Sequence, residues 1–309
     1  AVAQKEHGPR LYFTNNRKKL FCLDAYTGKP INSFGKNGEV KTGVTAIPPL
    51  IYKDNLVVID IKSRMTVFDL FTGKVNWKFD INDESKSILF ANFFKGSPWG
   101  GFSLDEIRGL MFFTTGNPEY WNVGVDRPGD NLYANSVVAF DLNNKNIRWH
   151  FQEISHDLWN MDVAASPILT TVKKGKQDID VVVAVTKLGN TLILDRETGE
   201  SLFNVKKVKA PTSNVPGEKT SPYQLAIDLP EPICRNKMTL DELSDLPYVN
   251  IDRLKKIFYE SETGFPSPPK IGIKSIQIAA CVRWSGATVD TKKNILYVNT
   301  DQQPSFVSI

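Results

Sequence analysis

Short runs of β-branched and aromatic residues alternate with polar turn residues along most of the chain, which predicts strands and hairpins rather than helices. Residues 56–59 (LVVI) and 66–69 (TVFD) are two of these runs. The Asp-x-x-Thr-Gly sequence that begins at Asp69 offers side-chain acceptors and a glycine that tolerates positive φ. It therefore predicts a tight reversal at the end of a hairpin.

This corner occurs four times, so the chain repeats a structural unit. The four copies occupy residues 23–28, 68–73, 140–145 and 194–199, and the aromatics that follow them are Phe34, Trp77, Trp149 and Phe203. A large flat side chain at this place is suited to packing one unit against the next. The pattern predicts an all-β fold, a β-propeller of four-stranded antiparallel blades with tryptophan-type docking motifs.

A second pair of similar segments supports the repeat. Trp99 precedes Asp105 by six residues and Trp284 precedes Asp290 by six, and an apolar run follows each Asp. The two segments are expected at equivalent positions in different blades.

Residues 1–309 are predicted to form one propeller domain with a loop insertion at about 208–274. Strand patterning fails there, and the segment contains a turn at 239–243 and an amphipathic helix at 249–258. At about 45 to 50 residues per blade, the chain supplies about six blades before the insertion is subtracted. Closure of the ring is left open.

Composition excludes several classes of protein. With 41% hydrophobic and 23% charged residues, the chain is predicted to be globular, and it has no apolar run long enough to span a membrane. The net charge of +4 is spread out, which favours solvated loops over nucleic-acid binding. The first residues lack an apolar leader, so a secretion signal is expected to be either removed or never present.

The usual signatures of other chemistry do not occur. Cys22, Cys234 and Cys281 form no Cys-x-x-Cys pair, which argues against zinc, and one disulfide of unspecified pairing is allowed. The three histidines accompany no Gly-x-Ser-x-Gly elbow, and no glycine-rich phosphate loop is found. Hydrolase and nucleotide-dependent functions are therefore disfavoured.

An ordered series of motifs between residues 97 and 167 is the most specific feature of the chain. The series comprises SPWGG at 97–101, TGNP at 115–118, RPGDNLYANS at 127–136 and HDLWNMD at 156–162. In this order and spacing they resemble the quinoprotein dehydrogenases that use pyrroloquinoline quinone (PQQ), especially the glucose dehydrogenase branch. The resemblance continues to residue 309 through TKLGN at 186–190, FPSPP at 265–269 and WSG at 284–286. The family ring has eight blades, so this chain is expected to be incomplete relative to it.

The resemblance implies roles for particular residues. Trp99 matches the indole floor beneath the quinone, Trp284 resembles the closing tryptophan, and Lys187 matches the basic residue at the quinone oxygens. Asn117 matches an oxygen ligand of the family's Ca²⁺. From the residues alone, Trp99 can also be a blade-packing residue, Asn117 fits a turn residue equally well, and a hairpin lysine is the better interpretation of Lys187.

Two departures from the family pattern affect the chemistry. Asn160 stands where the family has the Asp that acts as general base and touches the metal, and an amide has no useful basicity. Asp162, two residues later, is the expected substitute as base and metal ligand. After residue 59, the family's Gly-Ser-rich clamp loop is replaced by DIKSR at 60–64, which leads directly into the next strand.

The resemblance implies a bacterial, periplasmic dehydrogenase with PQQ and Ca²⁺ that oxidises a sugar or alcohol carbinol and passes electrons to a quinone or cytochrome. The predicted catalytic residues are Asn160, Asp162 and Lys187, the cofactor-binding residues are Trp99, Lys187 and Trp284, and the metal ligands are Asn117, Asn160 and Asp162. A non-catalytic propeller that serves as a binding or scaffold module is the alternative, and the chain could also be one piece of a longer propeller.

Overall fold

The structure is a computed structural model that describes residues 1–3, 8–15, 17–81, 96–119, 121–244, 246–279 and 281–309. Three of its sheets each contain four antiparallel strands in consecutive chain order. The first contains β1 (Val2–Ala3), β2 (Arg10–Asn15), β3 (Lys19–Asp24) and β4 (Glu39–Lys41). The second contains β5 (Leu50–Tyr52), β6 (Asn55–Ile59), β7 (Arg64–Asp69) and β8 (Val75–Asp80). The third contains β9 (Phe102–Asp105), β10 (Leu110–Thr114), β11 (Ser136–Asp141) and β12 (Asn146–Gln152). These sheets confirm the predicted four-stranded blades.

The remaining sheets are smaller. They are formed by β13 (Ile168–Lys174), β14 (Gln177–Val185) and β15 (Thr191–Asp195); by β16 (Val205–Lys209) and β17 (Tyr223–Ile227); by β18 (Ser261–Thr263), β19 (Lys274–Ala279) and β22 (Gln303–Val307); and by β20 (Ala287–Asp290) and β21 (Ile295–Val298). Only β18 and β19 pair in parallel among these described strands. No described strand pair joins the first sheet to the last.

The segment 208–274 is more regular than its sequence suggests. The predicted helix is present as α1 (Ile251–Tyr259), capped by the Asn250 side chain, which accepts a hydrogen bond from the Arg253 amide at 2.9 Å. The predicted turn is a 3₁₀ helix at Leu240–Glu242. However, β17 and β18 also lie in this segment, where no strand was predicted. The partner of β17 is the lysine-rich β16, whose charged side chains hide the strand pattern.

The corner phrase forms as predicted. Asp69 Oδ1 accepts hydrogen bonds from the Phe71 amide at 3.1 Å, the Thr72 amide at 2.7 Å and the Thr72 hydroxyl at 2.7 Å. Gly73 then takes the left-handed conformation, with φ at +70°. One carboxylate therefore holds each reversal, which explains why the Asp recurs.

Aromatic side chains pack successive sheets together, with one exception. Trp77 stacks on Phe140 of the next sheet at 6.1 Å between ring centroids, and both Phe34 and Trp149 are buried in apolar clusters. Phe203, predicted to do the same, is 37% exposed. The strand pairing after residue 203 explains the difference, because β16 and β17 form a two-stranded sheet rather than a full blade.

Arg108 joins the third sheet to the sheet of β13–β15. Its guanidinium contacts Asp105 at 2.7 Å, Asp180 at 2.8 Å and Glu197 at 2.8 Å. Asp105 Oδ2 also pairs with Arg196 Nη1 at 3.1 Å. Two cations therefore meet a buried carboxylate where the two sheets adjoin, which balances the charge there.

Candidate functional site

The first candidate chamber has a volume of about 560 Å³ and is bordered by all five residues that were predicted to meet. These residues are Trp99, Asn117, Asn160, Asp162 and Lys187. They lie in loops that border two sheets, β9–β12 and β13–β15, and are separated by up to 88 positions, counted from residue 99 to residue 187. The fold therefore brings the sequence-predicted set together.

An ion pair lies in the wall of this chamber. Lys187 Nζ donates to Asp162 Oδ2 and also to the Asn160 carbonyl at 3.2 Å. The backbone amide of Asn117 donates to Asp162 Oδ1 at 2.7 Å. The side chains of Lys187 and Asp162 are 12% and 7% exposed, so the pair is largely shielded from water. Both carboxylate oxygens of Asp162 are thereby fixed in direction.

Asp157 shapes the loop that delivers Asp162. Its carboxylate accepts hydrogen bonds from the Trp159 amide at 2.7 Å, the Met161 amide at 2.9 Å and Asn135 Nδ2 at 2.8 Å. Burial raises the pKa of Asp157 above its ordinary value, and the neighbouring charge of Asp162 acts in the same direction. This buried hub bends the chain through Asn160, whose φ is +59°. These contacts give Asp157 a structural role in the loop.

Gly116 allows Asp162 and Trp99 to approach the same point. A Cβ at position 116 would lie 2.5 Å from Asp162 Oδ1 and 2.7 Å from Trp99 Nε1. Any larger residue would therefore push the carboxylate and the indole apart. The Thr-Gly-Asn-Pro motif is thus explained by close packing at the chamber wall.

A disulfide holds the turn that carries Lys187. Cys234 is bonded to Cys281, which settles the pairing that the sequence left open, and Cys22 is free and buried. The Cys281 amide donates to the Lys187 carbonyl at 2.9 Å, and the Ile233 amide donates to the Gly189 carbonyl at 2.8 Å. The turn is therefore anchored on both sides of the crosslink.

Glu153 lies beneath the same turn and was not singled out by the sequence. Its Oε1 accepts hydrogen bonds from the Thr186 hydroxyl at 2.9 Å and from Asn190 Nδ2 at 2.7 Å. Burial raises its pKa to about 7. Thr186 and Asn190 lie on either side of Lys187 in the sequence of this turn. The Glu153 carboxyl group therefore supports the position of the Lys187 ammonium.

His156 is buried against Glu218 rather than facing the chamber. The His156 Nε2 atom lies 2.7 Å from Glu218 Oε1, and the two side chains are each 1% exposed. Its other ring nitrogen lies 2.7 Å from the Gly129 carbonyl, and Glu218 also accepts from the Gly124 amide at 2.5 Å. This pair anchors the loop at 124–131, which agrees with a structural role.

A second chamber of about 350 Å³ adjoins the first and shares Trp99, Trp121, Asn160 and Lys187 with it. Trp284 lines only this second chamber and packs edge-on against Trp99, with ring centroids 5.9 Å apart. The two tryptophans come from the similar segments identified in the sequence. Their strands also match in register, since Asp105 pairs with Leu110 and Asp290 with Ile295.

The turn between β6 and β7 is short, as expected from the way residues 60–64 lead directly into the next strand. Asp60 accepts from the Lys62 and Arg64 amides at 2.9 and 3.1 Å and pairs with the Arg64 guanidinium at 2.6 Å. The turn is consequently tight, and it places the apolar Ile61 at the edge of the first chamber. No clamp loop extends over the chamber from this turn.

Several residues of the two chambers were missed by the sequence reasoning. Glu119 and Trp121 border the first chamber, and they could have been found because they directly follow the Asn117-Pro118 motif. Gln277 and Arg283 border the second chamber. Gln277 lies in an ordinary alternating strand, so nothing in its local sequence marks it.

Comparison with known proteins indicates the same family that the sequence motifs resemble. The family described as "PQQ: Glucose/ethanol/alcohol dehydrogenase, beta-propeller domain" matches residues 1–309. The quinoprotein glucose dehydrogenase of Gluconobacter oxydans (strain 621H) is 27% identical over 97% of this chain and 41% of its own length. The glycerol dehydrogenase large subunit of the same organism is 26% identical over 93% of this chain and 43% of its own length.

A solved structure supports the architecture. A europium-containing methanol dehydrogenase superposes with a TM-score of 0.64, at 19% identity, over 97% of this chain and 51% of that one. The predicted all-β propeller fold is confirmed by this likeness and by the family match. The chain spans about two-fifths of the length of the two curated relatives. Within the described part of the chain, the helices are too short or too polar to cross a bilayer.

Proposed function

Since the chain belongs to the family of PQQ-dependent glucose, ethanol and alcohol dehydrogenases, we propose that it binds PQQ beside Trp99 and oxidises the carbinol of a sugar or alcohol. The observation that carries the proposal is the shielded Lys187–Asp162 pair in the wall of the first chamber. A quinone or cytochrome as electron acceptor and a bacterial periplasmic location complete the proposal.

The first chamber suits a flat, oxygen-rich cofactor. Its volume of about 560 Å³ lies within the range of ligand sites, and the indole of Trp99 offers a plane for stacking. The space left by Gly116 keeps Trp99 and Asp162 at the same wall. Lys187 supplies a positive charge beside them, which would stabilise negative charge on a bound oxygen. These features fit PQQ.

The first chamber offers fewer oxygen ligands than a divalent metal usually takes. Calcium takes about six to eight oxygen ligands. The proposed ligands are the side chains of Asn117, Asn160 and Asp162, and Asp162 is already held by Lys187 and a backbone amide. Among the described residues, no group of three or more His, Cys, Asp or Glu side chains could hold a metal ion.

Asp162 is the proposed base. Bound PQQ would supply the two-electron acceptor that takes the hydride from the carbinol carbon. Asp162 would accept the hydroxyl proton through a carboxylate oxygen, so that the carbinol becomes a carbonyl and the charges balance. The Asn160 side chain cannot accept this proton, and the backbone carbonyl of Asn160 accepts a hydrogen bond from Lys187 Nζ. Lys187 keeps the Asp162 carboxylate directed at the chamber.

The test compares two aspartates that both pair with a lysine. Asp162→Asn is the test variant, and Asp228→Asn is the matched control, because Asp228 pairs with Lys206 at 2.5 Å on the surface. PQQ and Ca²⁺ are added to each purified protein, and dye reduction is followed with glucose and ethanol. We expect Asp162→Asn to lose about 100-fold or more of the rate and Asp228→Asn to lose none.

PQQ affinity separates chemistry from binding in this experiment. Retained PQQ binding by Asp162→Asn, together with loss of turnover, would support the role as base. Equal turnover by the two variants would remove that role. A wild-type protein that neither binds PQQ nor reduces dye would refute the dehydrogenase proposal and leave a non-catalytic propeller. Gain of activity on Asn160→Asp would show that the rest of the site is competent.

A further inference from the structure

The second chamber contains two buried donors without acceptors. Gln277 on β19 is 6% exposed, and its Nε2 atom has no hydrogen-bond partner among the described residues. Arg283 Nε is likewise buried and unpartnered within the described part of the chain. Both residues line the chamber. Buried donors left without acceptors are unfavourable, so a bound water, ion or ligand that accepts from them would stabilise the site.

The charge of the chamber determines which ligand fits. Its described lining includes the cations Lys187 and Arg283 and no acidic residue, while Asp162 and Asp301 pair with these cations from outside the lining. The outer nitrogen of the Arg283 guanidinium is fixed by Asp301 at 3.2 Å and Gln303 at 3.4 Å. This anchoring leaves Nε on the buried side. A cationic group and an amide donor together suit an oxygen anion better than a neutral hydroxyl.

We propose that Gln277 and Arg283 form a carboxylate-binding subsite in the second chamber. Trp159 and Trp284 provide the aromatic walls for the organic part of the ligand. The volume of about 350 Å³ admits a small organic acid or one end of a larger one. The carboxylate accepts hydrogen bonds from Gln277 Nε2 and Arg283 Nε.

The subsite is continuous with the proposed reaction centre. Asn160 and Lys187 border both chambers, so a molecule held at Gln277 reaches the wall that carries Asp162. The inference therefore rests on the proposed function for the identity of its ligand. The carboxylate belongs either to PQQ, which carries several, or to an acidic substrate. The chemistry of the subsite is the same in both cases.

The experiment measures dissociation constants by tryptophan fluorescence and calorimetry with the full chain. The probes are PQQ and its neutral trimethyl ester, and gluconate and the neutral polyol sorbitol. Gln277→Glu replaces the donor with a carboxylate of the same shape, and Arg283→Met removes the cation. Gln177→Glu is the matched control, since Gln177 is exposed and lies outside the chamber lining, so the substitution adds the same charge elsewhere.

We expect Gln277→Glu and Arg283→Met to weaken the binding of one acid about tenfold or more, while the affinity for its neutral analogue stays the same. The control variant should bind every probe as the wild type does. Loss confined to PQQ assigns the carboxylate to the cofactor, and loss confined to gluconate assigns it to the substrate. A cooperative melt verifies folding, and Gln277→Met provides a neutral second variant with the same expected direction.

The failures of the two proposals are distinguishable. Wild-type affinity for PQQ and gluconate in all chamber variants would overturn the subsite and leave PQQ binding in the first chamber intact. Gluconate binding that depends on Gln277, without any PQQ binding, would retain the subsite and refute the proposed cofactor. Absence of binding by both acids to the wild-type chain would overturn both proposals.

Discussion

Glu153 should make the stability of this protein fall as the pH rises through neutrality. The residue is 1% exposed, and only its Oε1 atom has hydrogen-bond donors among the described residues. Burial raises its pKa from the ordinary 4.5 to about 7. In the folded protein the carboxyl group therefore holds its proton more tightly than in the unfolded chain.

The sign and size of the effect follow directly. The contribution of Glu153 to stability is complete below pH 4.5 and is lost as the pH rises through about 7. The interval between the two pKa values corresponds to about 3 kcal/mol at full ionisation. Glu153→Gln keeps an Oε1 acceptor for Thr186 and Asn190 but cannot ionise. The free energy of unfolding of Glu153→Gln, relative to that of the wild type, should therefore grow by about 2 to 3 kcal/mol between pH 5 and pH 8.

Urea unfolding followed by tryptophan fluorescence at pH 5, 6, 7 and 8 measures this difference. Glu200→Gln is the control, because Glu200 is an exposed residue of a hairpin corner and should give a flat difference. Asp157, whose pKa burial also raises, is present in both variant and wild type, so the difference between them reports on Glu153 together with its charge interaction with Asp157. A Glu153→Gln advantage that is the same at pH 5 and pH 8 would refute the reasoning.

Three further predictions concern stability. Reducing the Cys234–Cys281 bond, whose residues are 47 apart, should lower the free energy of unfolding by up to about 4 kcal/mol, measured in urea with and without reductant; no change would contradict this. Phe140→Ala, at a fully buried ring between sheets, should cost about 3 to 5 kcal/mol, whereas Phe203→Ala should cost far less; equal losses would contradict the packing argument. Arg108→Met should lower the melting temperature at low salt, since it leaves a buried carboxylate with fewer cations; an unchanged melt would contradict this.

Much of the fold could be predicted because its signals are local. The Asp of each corner bonds to amides two and three residues later, so the phrase and its geometry are written in the same few positions. Trp77 and Trp149 each follow the Asp of their corner by eight residues, so this signal is local as well. The strands β17 and β18 were missed because their pairing partners lie elsewhere and their polar faces obscure alternation.

The candidate site was predicted less completely. Trp99, Asn117 and Lys187 were found through motifs, and the structure brings them together. The contact of Lys187 with Asp162 could not be read from the sequence, because it depends on a loop bent by buried hydrogen bonds. Gln277 became visible only through burial and the absence of an acceptor for it among the described residues. The roles of these residues in binding and chemistry remain predictions.

The disulfide beside the Lys187 turn makes the stability of this turn depend on the redox state of the surroundings in which the chain folds. Bonds of this kind persist in oxidising surroundings and are removed where glutathione and thioredoxin act. A copy folded in the cytosol would keep this turn through its amide contacts alone. In oxidising surroundings the bond between Cys234 and Cys281 would add a covalent tie to those contacts.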